Sequence, residues 1–116
     1  MFSLVLATIQ TDETEFKRFL DGLVLQLPEK FELIVIDQNK DSRILNWCTH
    51  YQTRLLIRVV KSAPGLSKAR NVGLSYVTGD ILAFPDDDCW YPDRLLRTVR
   101  EMLEANPQWG GVTGSA

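Results

Sequence analysis

The chain has 116 residues, 45% of them apolar and 24% charged, and its net charge at pH 7 is −2. This length and composition predict one globular domain with a single hydrophobic core. They give no reason to expect nucleic acid or an anionic membrane as partner, and no stretch approaches the roughly 18 consecutive apolar residues of a membrane span.

The first third of the chain predicts strand, helix and strand in turn. Residues 2–8 and 31–37 are nearly continuous apolar runs, which are typical of buried parallel strands. Between them, apolar side chains recur three and four positions apart and predict a helix. Asp12, with Glu15 three residues later, predicts the N-cap of this helix, and Pro28 predicts its end.

Residues 55–61 and 80–84 predict a third and a fourth strand. Asp41 or Ser42 can cap a helix that precedes the third strand and runs to about residue 53. Each strand is thus followed along the chain by a helical pattern.

Two further helices and a last strand complete the pattern. Ser67 predicts the cap of a helix over residues 68–77, and Pro92 suits the first position of the next helix. Residues 110–116 resemble the start of a fifth strand.

Strand and helix therefore take turns four times, which predicts an α/β fold with a mostly parallel open sheet and helices on both faces. Such sheets bind ligands beyond the carboxyl ends of their strands, where the strand order reverses. Thr8, Asp37, Gln38 and the acidic residues 86–88 all fall at strand ends. We expect them to line one crevice.

Asp86, Asp87 and Asp88 stand side by side directly after the fourth strand. One aspartate would suffice to cap the next helix, and a pair of like charges about 6 Å apart costs about 2–3 kcal/mol at an effective dielectric near 20. A divalent cation would turn this repulsion into attraction, and Mg²⁺ or Mn²⁺ prefers carboxylate oxygens. A solvated acidic turn and a metal site are both compatible with the residues alone.

The segment "PGLSKARNVGL" contains neither G-x-x-x-x-G-K-[ST] nor G-x-G-x-x-G, so an ordinary P-loop or dinucleotide site is unsupported. Lys68 and Arg70 fall in the first turn of the predicted helix, where a cation is unfavourable. Two interpretations are open. Both residues keep the surface soluble, or Arg70 extends into the crevice and pairs with an anion or an aspartate there.

The succession "LVLAT", "FELIVID", "APGLSKARNVGL" and "TGDILAFPDDDCWYPDRL" resembles the N-terminal, nucleotide-binding half of family 2 glycosyltransferases of the GT-A fold. The resemblance covers nearly the whole chain. It implies a partial, Rossmann-like nucleotide-diphospho-sugar transferase fold. It also implies that residues 1–116 form a single donor-binding domain, truncated before the acceptor half.

The resemblance also implies roles for individual residues. The residues implied for the nucleotide sugar are Thr8, Asp37, Gln38, Arg70 and Asp86. Asp87 and Asp88 are implied as ligands of Mn²⁺ or Mg²⁺, and Asp87 ranks first because Pro85 occupies the place of the usual leading acid. Gln38 stands where the family often has a second aspartate that contacts uracil, which leaves the nucleotide open. The catalytic base is expected beyond residue 116.

The implied reaction is metal-assisted, inverting transfer of a hexosyl group from a nucleotide diphosphate sugar to a saccharide, lipid or protein acceptor. The expected location is cytoplasmic, with the inner face of a membrane as a peripheral alternative, and a second copy of the chain is a candidate partner. Nucleic acid is not expected as a partner. The alternatives are a non-catalytic nucleotide-binding, metal-binding or interaction module, and a nucleotidyltransferase. The nucleotidyltransferase is disfavoured because "ATIQTDETEF" lacks a basic, glycine-rich loop.

Overall fold

A computed structural model describes residues 1–9, 11–85 and 91–108 of the chain. The strands are β1 (Phe2–Thr8), β2 (Phe31–Asp37), β3 (Leu56–Lys61) and β4 (Ile81–Ala83). The helices are α1 (Glu13–Val24), α2 (Arg43–Cys48), α3 (Leu66–Leu74) and α4 (Leu95–Ala105). The predicted fifth strand, residues 110–116, lies outside the described residues, as do Asp86, Asp87 and Asp88.

The strands form a parallel sheet in the order β3-β2-β1-β4. The chain builds outward from β1 to β2 and β3, and then returns through α3 to place β4 on the other side of β1. The strand order therefore reverses between β1 and β4, where ligands bind in sheets of this kind. This arrangement confirms the predicted α/β fold with a parallel sheet.

Helices cover both faces of the sheet. The larger core lies between one face and α1, α2 and α4, and includes Leu4, Phe16 and Leu96. The smaller core lies under α3, where Ala69 packs against Val5 and Ile36. Successive side chains of a strand point to opposite faces, so Leu4 and Val5 of β1 belong to different cores.

The start of α1 confirms its predicted cap, since the Asp12 carboxylate accepts a hydrogen bond from the Glu15 backbone N–H at 3.1 Å. The helix ends at Val24, four residues before Pro28. Gln26 N–H and Leu27 N–H then bond the carbonyls three residues back, at 3.0 and 3.2 Å. Bonds of this spacing replace the regular α-helical bonds in a last, tighter turn. The residue before a proline avoids helical geometry, so the helix ends before Pro28.

The predicted starts of α3 and α4 are wrong. Gly65, at φ 137°, is the N-cap of α3, and its carbonyl accepts the first helical bond from Ala69 N–H at 2.8 Å, so Ser67 lies inside the first turn. A backbone of this shape favours glycine. Arg94, at φ 62°, adopts a left-handed conformation directly before Leu95, so α4 does not begin at Pro92.

The helix α2 is also shorter than predicted, because it ends at Cys48 and turns follow to residue 54. Ser42 occupies its N-cap without a side-chain bond, whereas the Asp41 carboxylate accepts from the Arg43 backbone N–H at 3.2 Å. Across residues 1–9, 11–85 and 91–108, no helix has the length and apolar character needed to cross a membrane.

Candidate functional site at the carboxyl edge of the sheet

The carboxyl ends of three strands meet in register at one edge of the sheet. Thr8 of β1 lies opposite Asp37 of β2, which lies opposite Lys61 of β3. The backbone continues this pairing one step further, since Gln38 N–H bonds the Thr8 carbonyl at 2.9 Å and Ser62 N–H bonds the Asp37 carbonyl at 3.0 Å. The loops that follow these strands therefore begin side by side, as the sequence predicted for Thr8, Asp37 and Gln38.

Thr8 lies beneath this edge with only 1% of its surface exposed. Its hydroxyl group shares a hydrogen bond with the hydroxyl of Thr11, which precedes α1. This bond joins the last residue of β1 to the residue that precedes the N-cap of α1. The sequence pattern identifies Thr8 but not Thr11, because a threonine in a polar segment carries no signal of its own.

Asp37 is fully buried, and its carboxylate is held by two neighbours. Oδ1 accepts hydrogen bonds from the backbone N–H and the side-chain amide of Asn39, both at 2.9 Å. Oδ2 accepts from the ammonium of Lys61 at 2.8 Å. A buried charge needs such partners. Asp37 thus anchors the start of the loop after β2.

Lys61 was missed by sequence reasoning. A lysine at the end of one parallel strand can form an ion pair with an aspartate at the end of the neighbouring strand, and the sequence contains both residues. Finding it requires the pairing of β2 with β3, which the alternation of apolar runs does not supply.

Gln38 connects the loop after β2 to the start of α3. Its side chain is 6% exposed, and Oε1 accepts a hydrogen bond from the Gly65 backbone N–H at 2.8 Å. This donor fixes the orientation of the amide, because only the oxygen can face an N–H group. The side-chain carbonyl of Gln38 is therefore already engaged, and the predicted contact with a base stays a prediction.

Arg70 extends from α3 towards the end of β4. Its guanidinium lies over the ring of Phe84, with 5.1 Å between the central carbon and the ring centroid. A cation over an aromatic ring is attracted to its negative face. Phe84 directly precedes Pro85 and the acidic residues in the sequence, so Arg70 lies at the side of the sheet from which the chain leads on to them. Lys68, by contrast, is exposed.

The predicted metal ligands Asp87 and Asp88, and the predicted sugar contact Asp86, cannot be placed relative to these groups because they lie outside the described residues. Within the described ranges, no group of three or more His, Cys, Asp and Glu side chains converges on a metal-sized site. Asp41, near the edge, is engaged elsewhere, since hydrogen bonds from the Arg43 guanidinium and backbone N–H lower the pKa of Asp41 to about 2.

A groove of about 550 Å³ lies at the opposite end of the molecule, between the segment 26–30 and the start of α4. Its wall includes the ion pair of Arg100 with Glu29, at 2.9 Å. The segment 26–30 leads into the amino end of β2, so this groove is separate from the edge that carries Thr8, Asp37 and Gln38.

Comparison with known proteins agrees with this fold. The sequence model of the family "Glycosyl transferase family 2" matches residues 3–113. An uncharacterized glycosyltransferase of Haemophilus influenzae is 30% identical over 96 residues, which are 82% of this chain and 32% of that protein. Glycosyltransferase GlyA of Streptococcus pneumoniae is 23% identical over 101 residues, 85% of this chain and 14% of that protein.

Solved structures of S. aureus TarS share the fold. TarS 1-349 in complex with UDP is 24% identical with a TM-score of 0.79, over 91% of this chain and 32% of that chain. The complex of TarS 1-349 with UDP-GlcNAc is 25% identical with a TM-score of 0.76, again over 91% and 32%. The chain spans about a third or less of the length of each of these three proteins, TarS being taken as its residues 1–349. With a family match over residues 3–113, the chain belongs to glycosyl transferase family 2.

Proposed function

We propose that this chain is the donor-binding part of a glycosyltransferase and binds a nucleotide diphosphate sugar at the carboxyl edge of its sheet. The observation that carries the proposal is the register of the strands, which brings Thr8, Asp37 and Gln38 to one edge beside the reversal of strand order. Membership of the family supports the reaction class, and the TarS complexes with UDP and UDP-GlcNAc support the ligand class.

In this proposal Thr8, Asp37 and Gln38 form the wall of the nucleotide pocket. Arg70 and Asp86 complete it from the side of β4, and the contact of Arg70 with Phe84 supports that direction of approach. Because Asp37 is already bound to Lys61 and Asn39, it acts chiefly by shaping the wall. Gln38 keeps its amide NH₂ group directed away from Gly65, and this group can donate to a ligand.

The consecutive carboxylates of residues 86–88 are a donor set suited to Mn²⁺ or Mg²⁺, with Asp87 as first ligand and Asp88 beside it. A bound metal of this kind would neutralise the diphosphate as it departs from the sugar. We propose hexosyl transfer with inversion to a saccharide, lipid or protein acceptor. We place the acceptor site and the catalytic base outside this chain, and the enzyme in the cytoplasm or at the inner face of a membrane.

Calorimetric titration with UDP and GDP, in Mn²⁺, in Mg²⁺ and in EDTA, tests the proposal. We expect binding that requires metal and that Asp87→Asn weakens roughly ten-fold or more, because a hard cation loses a charged oxygen ligand. Asp93→Asn is the matched control: it removes the same charge from an exposed residue that lines the groove beside α4, and the affinity of this variant should stay within about two-fold of wild type.

Equal binding in EDTA, or equal losses in Asp87→Asn and Asp93→Asn, would contradict the metal role of Asp87. If neither nucleotide binds in any metal, the donor-binding proposal fails for this chain and the interaction module becomes the better interpretation.

A further inference from the structure

We propose that Lys61 is a positioning residue of the donor site, which holds the loop that connects β2 to α2 in the conformation that accepts the nucleotide. This loop comprises residues 38–42 and is called the β2–α2 loop below. The inference rests on the proposed function, because it takes the carboxyl edge of the sheet as the nucleotide site. It adds a residue that the sequence pattern did not identify.

The ammonium of Lys61 contacts the last residue of β2 and two residues of the β2–α2 loop. It donates to the buried carboxylate of Asp37 at 2.8 Å, to the carbonyl of Asn39 at 3.1 Å and to the carbonyl of Asp41. An ammonium has three donors, and these partners use all of them. One side chain from β3 therefore holds the strand residue that precedes the loop and two residues within the loop.

This ion pair differs from an ordinary surface salt bridge, which contributes little to stability. The Lys61 side chain is 53% exposed, but the Asp37 side chain is completely buried. Removal of the lysine would leave a buried carboxylate with Asn39 as its remaining described partner, and removing one member of such a pair carries a large penalty. A movement of the loop that lets water reach Asp37 would reduce that penalty.

A second contact connects this loop to α3, so a movement of the loop would also affect that helix. Gln38, the first residue of the loop, accepts a hydrogen bond from Gly65 N–H at the start of α3. Displacement of the β2–α2 loop would thus loosen the attachment of Gln38 to α3, the helix that carries Arg70. Two candidate nucleotide contacts therefore depend on a lysine that need not touch the nucleotide itself.

Lys61→Met is the primary test, because methionine retains most of the apolar stem and loses the ammonium. Lys40→Met is the matched control. Lys40 belongs to the same loop, is exposed, and has no ion-pair partner among the described residues. We expect Lys61→Met to weaken binding of UDP in Mn²⁺ roughly ten-fold, the effect of losing a charge-assisted hydrogen bond to a buried group, and Lys40→Met to change it less than about two-fold.

Hydrogen exchange of backbone amides separates positioning from general loss of stability. In Lys61→Met the amides of the β2–α2 loop, Asn39 above all, should exchange faster, while amides in the middle of β1 and β2 keep their protection. Lys61→Arg should restore part of both the affinity and the loop protection, because it keeps the charge but presents its donors in a planar fork. If Lys61→Met does not fold, Lys61→Gln replaces it in every measurement.

A double-mutant cycle tests whether Lys61 acts through Asp37. In an Asp37→Asn background the buried charge is gone, so Lys61→Met should weaken UDP binding less than it does in the wild type. Equal weakening in the two backgrounds would overturn the proposed route through Asp37.

The remaining outcomes are equally decisive. Unchanged exchange in the β2–α2 loop of Lys61→Met overturns the proposal whatever the affinity, and faster exchange with wild-type affinity overturns its link to the donor site. Equal losses of UDP affinity in Lys61→Met and Lys40→Met would overturn the positioning role, because loss of any positive charge near the site would then explain them. If wild-type protein binds no nucleotide, the proposed function fails, and the hydrogen exchange still decides whether Lys61 holds the loop.

Discussion

Glu32 shows how a single charged residue secures the sheet at the end opposite the candidate site. Its Oε2 atom accepts hydrogen bonds from the Ser3 hydroxyl at 2.6 Å and from the Thr78 backbone N–H and hydroxyl at 2.8 and 2.9 Å. Burial raises the pKa of Glu32, but the hydrogen bonds from Ser3, Thr78 and Gly79 outweigh it and keep the pKa below its ordinary value of 4.5. The carboxylate therefore joins β2 and β1 to the connection between α3 and β4.

Glu32→Gln should lower the free energy of unfolding at pH 7 by about 1–3 kcal/mol, because a neutral amide replaces a carboxylate that accepts several hydrogen bonds. A folded-state pKa below the unfolded value means that the stabilisation is present at neutral pH and fades as pH falls below about 4.5, through the folded pKa. Urea unfolding of both proteins from pH 7 to pH 3 measures this. If the difference in unfolding free energy between the two proteins does not shrink towards pH 3, the Glu32 carboxylate is not the source of the stabilisation.

At the scale of elements, close packing of α3 on the sheet depends on a glycine. A Cβ atom built on Gly73 would lie 2.4 Å from Cγ1 of Val5 and 3.3 Å from Cγ1 of Ile36. The helix therefore approaches β1 and β2 more closely than any other residue at this position would allow. This close approach also brings Gly65 and Arg70 of the same segment over the carboxyl edge of the sheet.

Gly73→Ala should reduce the free energy of unfolding by about 1–3 kcal/mol, since the gain in helix propensity is smaller than the cost of overpacking. Asn71→Ala, at an exposed position of the same helix, gives the matched control and should leave stability unchanged or slightly raised. Chemical denaturation measures both variants. Equal stability of Gly73→Ala and wild type would show that α3 can move away from the sheet at little cost.

The elements differ in how well they could be predicted. The apolar runs gave β1 and β2 their observed bounds, because burial on both faces leaves no other pattern. The starts of α3 and α4 were missed, because they depend on the backbone at Gly65 and Arg94. Arg94 in particular adopts a conformation that its residue type disfavours, and Gln26 holds the chain there by accepting from Leu96 N–H and donating to the Pro92 carbonyl.

At the scale of the whole molecule, ligand binding should stabilise the fold, because the proposed site joins elements on both sides of the strand reversal. UDP with Mn²⁺ at a hundred times its Kd should add about 2.7 kcal/mol to the free energy of unfolding and raise Tm by several degrees. Thermal unfolding with UDP in Mn²⁺ and in EDTA measures this. A rise in Tm that persists in EDTA would exclude a metal-dependent site, and ADP serves as a control for non-specific binding of diphosphates.

Without a structure, the sequence predicts the alternation of strands and helices, the parallel sheet, the edge at which Thr8, Asp37 and Gln38 meet, and the family. These properties follow from local apolar patterns and from a series of motifs, which are written along the chain. The contacts of Lys61 with Asp37 and of Gly65 with Gln38 can be found only in the folded chain. Each contact joins residues more than twenty positions apart. The register between β2 and β3 brings Lys61 to Asp37, and the packing of α3 on the sheet brings Gly65 to Gln38; no local pattern encodes either.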